Sequence, residues 1–241
     1  MINEKTYIEA NNKLKLKYLE WIEQIKKVCP ELLGDRYSNP YYISIPSKWY
    51  QQENRILIVG EEGHGIWGCG KADGIFADDI SNIQKINKEY LESQLGDSNK
   101  YALNNSPFWK RMRNISKYGM CSWSNIDKIH VLSKGDCQLN EQDRIKLHSV
   151  NIQILNEEIE ILQPTHIIFF GFYGISLKHE CPDVFKELYP GGLGDNSKWF
   201  KNVVPINNKG KWYIFSYHPA WGCRTKGYEE EVIKNIEICI K

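Results

Sequence analysis

At 241 residues, 41% hydrophobic and 25% charged, the chain suits a single globular α/β domain with a sizeable core. No apolar run approaches the roughly 18–20 residues of a membrane helix, and the polar start MINEKTYIEANNK lacks a signal-peptide core, so a cytoplasmic protein with no membrane partner is expected. A net charge of +1 excludes a global field as the driver of nucleic-acid binding, and seven scattered cysteines without a CxxC pair read as reduced thiols, with neither a metal nor another cofactor expected.

Leu14, Tyr18, Ile22, Ile25 and Val28 recur every three or four residues, which predicts an N-terminal helix closed by Pro30 and Gly34. Residues 1–50, this helix and an aromatic, proline-containing connector from Tyr41 to Tyr50, are expected as a helical extension packed on one domain spanning 1–241. The consecutive aliphatics Ile56 to Val59 read as a buried strand that breaks at Gly60 into Glu61, Glu62 and the glycine-rich turn GHGIWGCG. Helical character returns near Ile80 to Leu95. Ser106 and Pro107 form an N-cap and first-turn pair for a short basic helix through Ser116 that stops at Gly119. CSWSNIDKIHVL supplies a second strand. Asn140 and Asp143 resemble a capping pair for a long helix with an apolar stripe of Ile145, Leu155, Ile159 and Leu162, ended by Pro164. HIIFFG is the third strand, and after the turn-rich PGGLGDNSK come a last strand, WYIFSY, and a C-terminal helix through Val232, Ile236 and Ile240. Strands separated by helices predict a three-layer αβα fold around a central, mostly parallel four-stranded sheet.

In a parallel sheet the carboxyl ends of the strands converge on one edge, the usual ligand site of open α/β sheets. Polar residues stand at three such ends: Glu61 and Glu62 after the first strand, Asn125 within or after the second, and His218 after the last. Neighbouring strand residues point to opposite faces, so one of the two glutamates is expected in a pocket. The order, spacing and strand context of GEEGH, WSNIDK and SYHPAW resemble the uracil-DNA glycosylase superfamily, over residues 55 to about 225. In that superfamily the first motif reads GQDPY, GMNPG or GEAPG, the middle strand supplies an asparagine as in TNVVK, and the last motif begins HPS. Here Gly63 replaces the usual proline, Ala220 replaces the serine after HP, and the cysteine pattern of the iron–sulfur members is missing.

The resemblance implies a monofunctional DNA glycosylase, with DNA as partner and a monomer expected. Breaking a base-to-sugar bond develops positive charge on the sugar and negative charge on the leaving base. A carboxylate, Glu62 by motif position or Glu61 as its neighbour, offsets the first, and a donor on His218 stabilises the second. Asn125 matches a pyrimidine edge with one acceptor and two donors, and its two amide orientations read uracil or cytosine. Gly60, His64, Trp67 and Phe76 surround the first motif as base-binding candidates, the two aromatics as stacking faces. WGCRTKG lies where related enzymes place their wedge, so the resemblance implies Trp221 or Arg224 as the inserted residue and Lys226 as a phosphate contact, with solvated loop charge as the competing reading. Lys110 and Arg111, with Arg113 beside them, read either as a DNA-binding cluster or as a solvated helix face. Gly63, Gly65, Gly68 and Gly70 remove side-chain volume where uracil-specific members exclude substituents at the pyrimidine 5-position, so a bulky modified cytosine, as in phage DNA, is a candidate substrate beside uracil. Read from the residues alone, a nucleic-acid-binding module without chemistry and a nucleoside hydrolase both stay open.

Overall fold

A computed structural model describes residues 4–33, 40–62, 80–129, 141–170, 204–208, 210–216, 218–222 and 227–240. They fall into two compact units, each discontinuous in sequence. The first comprises Met1–Ser47, Glu61–Lys88 and Ser124–Leu162; the second comprises Lys48–Gly60, Glu89–Trp123 and Gln163–Lys241.

In the first unit, helix α1 (Glu4–Val28) packs along helix α4 (Glu141–Leu162). The predicted stripe of α1 is the buried face: Leu14, Tyr18, Ile22 and Ile25 are all covered, together with Trp21. Each such side chain taken out of water stabilises by about 1.5–3 kcal/mol. The stripe expected on α4 needs correction. Ile145 is half exposed and Ile159 only partly covered, while the buried face runs through Leu147, Asn151, Ile154, Leu155, Glu158 and Leu162. Two polar side chains therefore sit on the apolar spacing, and each has partners: Asn151 accepts from the Trp21 indole at 3.2 Å and donates to Asp127 at 3.1 Å. α4 ends as predicted, with Gln163 in the left-handed region (φ 48°) just before Pro164.

The connector over residues 41–45 is extended but pairs with no strand. Side chains replace the missing ladder, because buried backbone groups must find partners. Asn11 reads Ile45 from both sides, donating to its carbonyl at 3.2 Å and accepting from its amide at 2.9 Å. The Tyr18 hydroxyl accepts from the Ile43 amide, Gln84 donates to the Ile43 carbonyl and Asn87 to that of Tyr42, each at 2.9 Å.

The second unit is organised by a five-stranded sheet in the order β2-β1-β3-β5-β4, with β1 Arg55–Glu62, β2 Met120–Asp127, β3 His166–Phe170, β4 Val204–Asn208 and β5 Lys211–Ser216. The last residues of β1 and β2 belong in sequence to the first unit. The four predicted strands, β2, β1, β3 and β5, run parallel, in an alternation with helices that is that of a three-layer α/β fold. Ile56 to Val59 pair with His166 to Phe169, which pair in turn with Trp212 to Phe215. β1 and β3 read as unbroken apolar runs because a parallel sheet is covered on both faces; residues 56–59 are fully buried. β4 was not anticipated. It adds antiparallel to β5, and Gly210, directly before β5, stands at φ 80°, in the left-handed region that favours glycine. Pro205, which cannot donate to a ladder, is tolerated because β4 lies at the edge of the sheet.

Helix α2 (Ile80–Leu95) precedes α3 (Pro107–Ile115), whose N-cap and first residue are the predicted Ser106 and Pro107. Helices α5 (Pro219–Gly222) and α6 (Tyr228–Ile240) follow β5. Between α3 and β2, Gly119 lies against Asn54, whose carbonyl accepts from the Met120 amide at 3.0 Å. A Cβ at Gly119 would stand 2.5 Å from that carbonyl oxygen, a backbone atom that cannot swing aside. Gly119→Ala is thus expected to destabilise by about 1–3 kcal/mol, read as a lower urea midpoint at unchanged slope. Among the described residues, no helix is long and apolar enough to cross a membrane.

Candidate functional site

Because β1, β3 and β5 are parallel, their carboxyl ends share one edge of the sheet, where Gly60, Phe170 and Ser216 stand. The chain leaves β5 there and reaches His218 two residues later, directly before α5. Pro219 opens that helix and has no amide hydrogen, so the first amide that needs a partner is that of Ala220. It donates to Nδ1 of His218 at 3.3 Å. An imidazole nitrogen that accepts a hydrogen bond is unprotonated, which assigns the proton of the neutral ring to Nε2. His218 is half-buried and faces an aromatic ring: Phe108, in the first turn of α3, has its centroid 6.5 Å away at 27°. Phe108 also meets Trp109, Trp123 and Phe170 at 5.2, 5.6 and 5.4 Å, and so joins α3, β2 and β3 beneath the histidine.

Arg111 is a correction to the sequence reading. Its side chain is fully buried and clasps Glu229 at the start of α6, through Nε to Oε1 at 2.9 Å and through the terminal Nη2 to Oε2 at 2.5 Å. Nη1 donates to the Ser216 hydroxyl at 3.2 Å, which donates in turn to the Phe169 carbonyl at 3.3 Å. The guanidinium carbon lies 5.1 Å from the Phe170 ring centroid. A cation so enclosed and paired is a structural clamp on the end of β5 and offers nothing to a phosphate. Helical spacing held the signal, since Arg111 falls four residues before Ile115 on the face that buries Met112. Lys110 is exposed, as a phosphate contact or a solvated face requires, while Arg113 donates to the carbonyls of Gln94 and Asn104 at 3.3 and 3.0 Å.

In the first unit, Glu61 and Glu62 are the last two residues of β1. Asn125 lies inside β2 and is buried. Beside it in sequence stands a polar cluster that sequence reasoning missed. Lys128 donates to Glu158 Oε2 at 2.7 Å and to the Ser124 hydroxyl at 2.5 Å; that hydroxyl donates to the same Oε2 at 2.6 Å, and the Tyr18 hydroxyl donates to Oε1 at 2.6 Å. All four side chains are fully buried. Burial pushes the Lys128 ammonium below its usual range, against the pull of the Glu158 carboxylate, and raises the Tyr18 phenol well above its own. A lysine next to a serine hydroxyl has the makings of a nucleophilic pair, yet sealed from solvent it meets no substrate and acts as an internal tie.

His64, Trp67, Phe76, Arg224 and Lys226 lie outside the described residues. Trp221 belongs to α5 by its backbone. Among the described residues, no group of three or more His, Cys, Asp and Glu side chains is placed to hold a metal ion. No family model matches the sequence, and no curated protein matches it either.

Proposed function

We propose that the chain is a DNA glycosylase of the uracil-DNA glycosylase type, which hydrolyses the N-glycosidic bond of a flipped-out pyrimidine and leaves an abasic site. The observation that carries this reading is His218: a histidine–proline pair at the carboxyl edge of a parallel sheet, its Nδ1 accepting from the Ala220 amide, which makes Nε2–H the donor of the neutral ring. A neutral donor suits a leaving base, since it stabilises the developing oxyanion without having to give up its proton. Glu62 supplies the carboxylate that offsets charge on the sugar and orients the attacking water, and Asn125 reads the base edge. The Glu-Glu sequence that ends β1 and the order of the three motifs along the chain support these roles. The glycines that follow β1 in sequence favour a pyrimidine substituted at its 5-position, with uracil as the plain alternative and defence against phage DNA as the setting.

The test incubates purified protein with oligonucleotides carrying uracil, mismatched thymine, hydroxymethylcytosine or glucosylated hydroxymethylcytosine, followed by alkaline cleavage of abasic sites. Strand breaks at one base are the expected result. Binding without breaks on any substrate would favour a nucleic-acid-binding module, and release of bases from free nucleosides alone would favour a nucleoside hydrolase.

A further inference from the structure

We infer that Thr165 and His166 form a two-position proton switch at the amino edge of the sheet, in which the Thr165 hydroxyl donates to the neutral imidazole and turns to the Arg55 carbonyl when the ring takes up a proton. His166 opens β3 and is buried. Its Nε2 lies 2.9 Å from the carbonyl of Cys239, in the last turn of α6. A carbonyl only accepts, so Nε2 carries a hydrogen whether the ring is neutral or charged. Its Nδ1 lies 2.8 Å from Thr165 Oγ1. In the neutral ring Nδ1 is bare, and the hydroxyl donates to it.

That hydroxyl has a second acceptor within reach, the Arg55 carbonyl at 3.2 Å. Its oxygen is held by the Arg55 amide, which donates to Oγ1 at 2.9 Å. The Thr165 main chain is pinned on both sides, its amide donating to the Arg55 carbonyl and its carbonyl accepting from the Trp212 amide, each at 2.9 Å. A proton arriving at Nδ1 reverses the bond to Oγ1: the ring becomes the donor, and the hydroxyl hydrogen swings to the second lone pair of the Arg55 carbonyl. Oγ1 then accepts from both the ring and the Arg55 amide, which uses its two lone pairs. Only one hydrogen rotates, and every one of these groups keeps a partner in both positions. The far end of the ring suits a cation as well, because the last carbonyls of a helix carry partial negative charge. Ionisable groups on the surrounding elements are engaged elsewhere or uncharged. The Arg55 guanidinium donates to the carbonyls of Gln163 and Gln52 at 3.0 and 2.8 Å, and Glu237 of α6 accepts from the Tyr118 hydroxyl. Burial pushes the Cys239 thiol up, and Lys211 stands on β5 next to Trp212, the residue paired with His166. Burial likewise holds the imidazole below its ordinary range, against the bond to the Cys239 carbonyl.

Nitrogen NMR of the labelled full chain reads the switch between about pH 7.5 and about pH 4.5, with the His166 signals assigned by their loss in His166→Gln. At the upper end the two ring nitrogens are expected to be widely split, with the hydrogen on Nε2. As the pH falls they converge on the common shift of an imidazolium, with a midpoint below the ordinary 6.5, while the amide spectrum remains that of the folded chain. Thr165→Val removes the oxygen that receives the charged Nδ1–H and is expected to lower the proton affinity of the folded ring about tenfold. Thr165→Ser keeps the hydroxyl and the midpoint of the unaltered protein. The folded ring binds its proton less readily than the unfolded one, so the stability contributed by neutral His166 is fully present above about pH 6.5 and is lost as the pH falls from there toward the folded midpoint. Urea unfolding of His166→Gln should accordingly depend less on pH across this window. A ring that stays neutral until the chain unfolds, a hydrogen on Nδ1 instead of Nε2 at the upper end, or an unchanged midpoint in folded Thr165→Val would overturn the inference. The first two outcomes are read on the unaltered protein, so they decide even where Thr165→Val does not fold.

Discussion

Glu158→Ala is expected to cost about 3–5 kcal/mol of folding stability, a large share of the 5–15 kcal/mol that a domain of ordinary stability has. The carboxylate accepts from Lys128, Ser124 and Tyr18 at once, and every one of the four side chains is sealed from water. Removing it leaves a buried ammonium without its counter-charge and takes from the two buried hydroxyls the acceptor of their protons, so each group loses a partner that water cannot replace. Lys128→Met is the informative contrast. It leaves Glu158 with both hydroxyl donors and replaces the lysine stem with an apolar chain of similar length, so its expected cost is smaller, about 1–3 kcal/mol. Urea unfolding of the two variants should rank them in that order. A Glu158→Ala protein within about 1 kcal/mol of the parent would show that the cluster is hydrated in solution, and the account of it as an internal tie would fail.

The second large effect concerns base release. Glu62→Gln removes the charge that orients water and offsets the sugar cation while keeping the shape of the side chain, and is expected to lower kcat about 10²–10⁴-fold. His218→Ala removes the donor to the leaving base, with an expected loss of about 10²–10³-fold. Glu61→Gln is the internal control. The role is assigned to Glu62 and not to Glu61, so the two replacements should differ by more than tenfold. A single-turnover assay on the cleaved oligonucleotide measures all three. Equal losses at Glu61 and Glu62 would mean that neither has the assigned role, and a silent Glu62→Gln would remove the carboxylate from the mechanism.

Much of the architecture is legible in the residues because apolar periodicity and chain breakers report directly on it. The α1 stripe, the fully buried run at Ile56 to Val59, the start of α3 at Ser106 and Pro107 and the end of α4 before Pro164 all follow from such signals. β4 escaped because VPINN has little apolar alternation and contains a proline, features that mark an edge strand; the glycine just before β5 in the sequence was the available clue. Polar residues on buried faces escaped for a different reason. Arg111 and Glu158 occupy core positions by helical spacing, yet their chemistry says surface, and the partners that reconcile the two are 118 residues away for Arg111 and 140 for the Tyr18–Glu158 contact. Proximity of that kind exists only in the folded chain. Of the candidate residues, the positions of Glu61 and Glu62 at the end of β1 and of His218 after β5 were legible in the chain, whereas the packing of Phe108 against His218 required knowing which faces of α3 and β3 meet.

The extended segment at residues 41–45 has an implication for the order in which the protein is assembled. The Tyr41 amide donates to the Lys128 carbonyl, but the groups of Tyr42, Ile43 and Ile45 are met by side chains from α1 and α2, so this part has no template until those helices have formed and placed Asn11, Tyr18, Gln84 and Asn87 within reach. A strand can zip onto a neighbour one residue at a time, but this stretch condenses only onto a finished surface. It therefore belongs to the late steps of folding and to the first of unfolding, and its amides at Ile43 and Ile45 exchange with solvent hydrogen whenever α1 lifts, without any opening of the sheet.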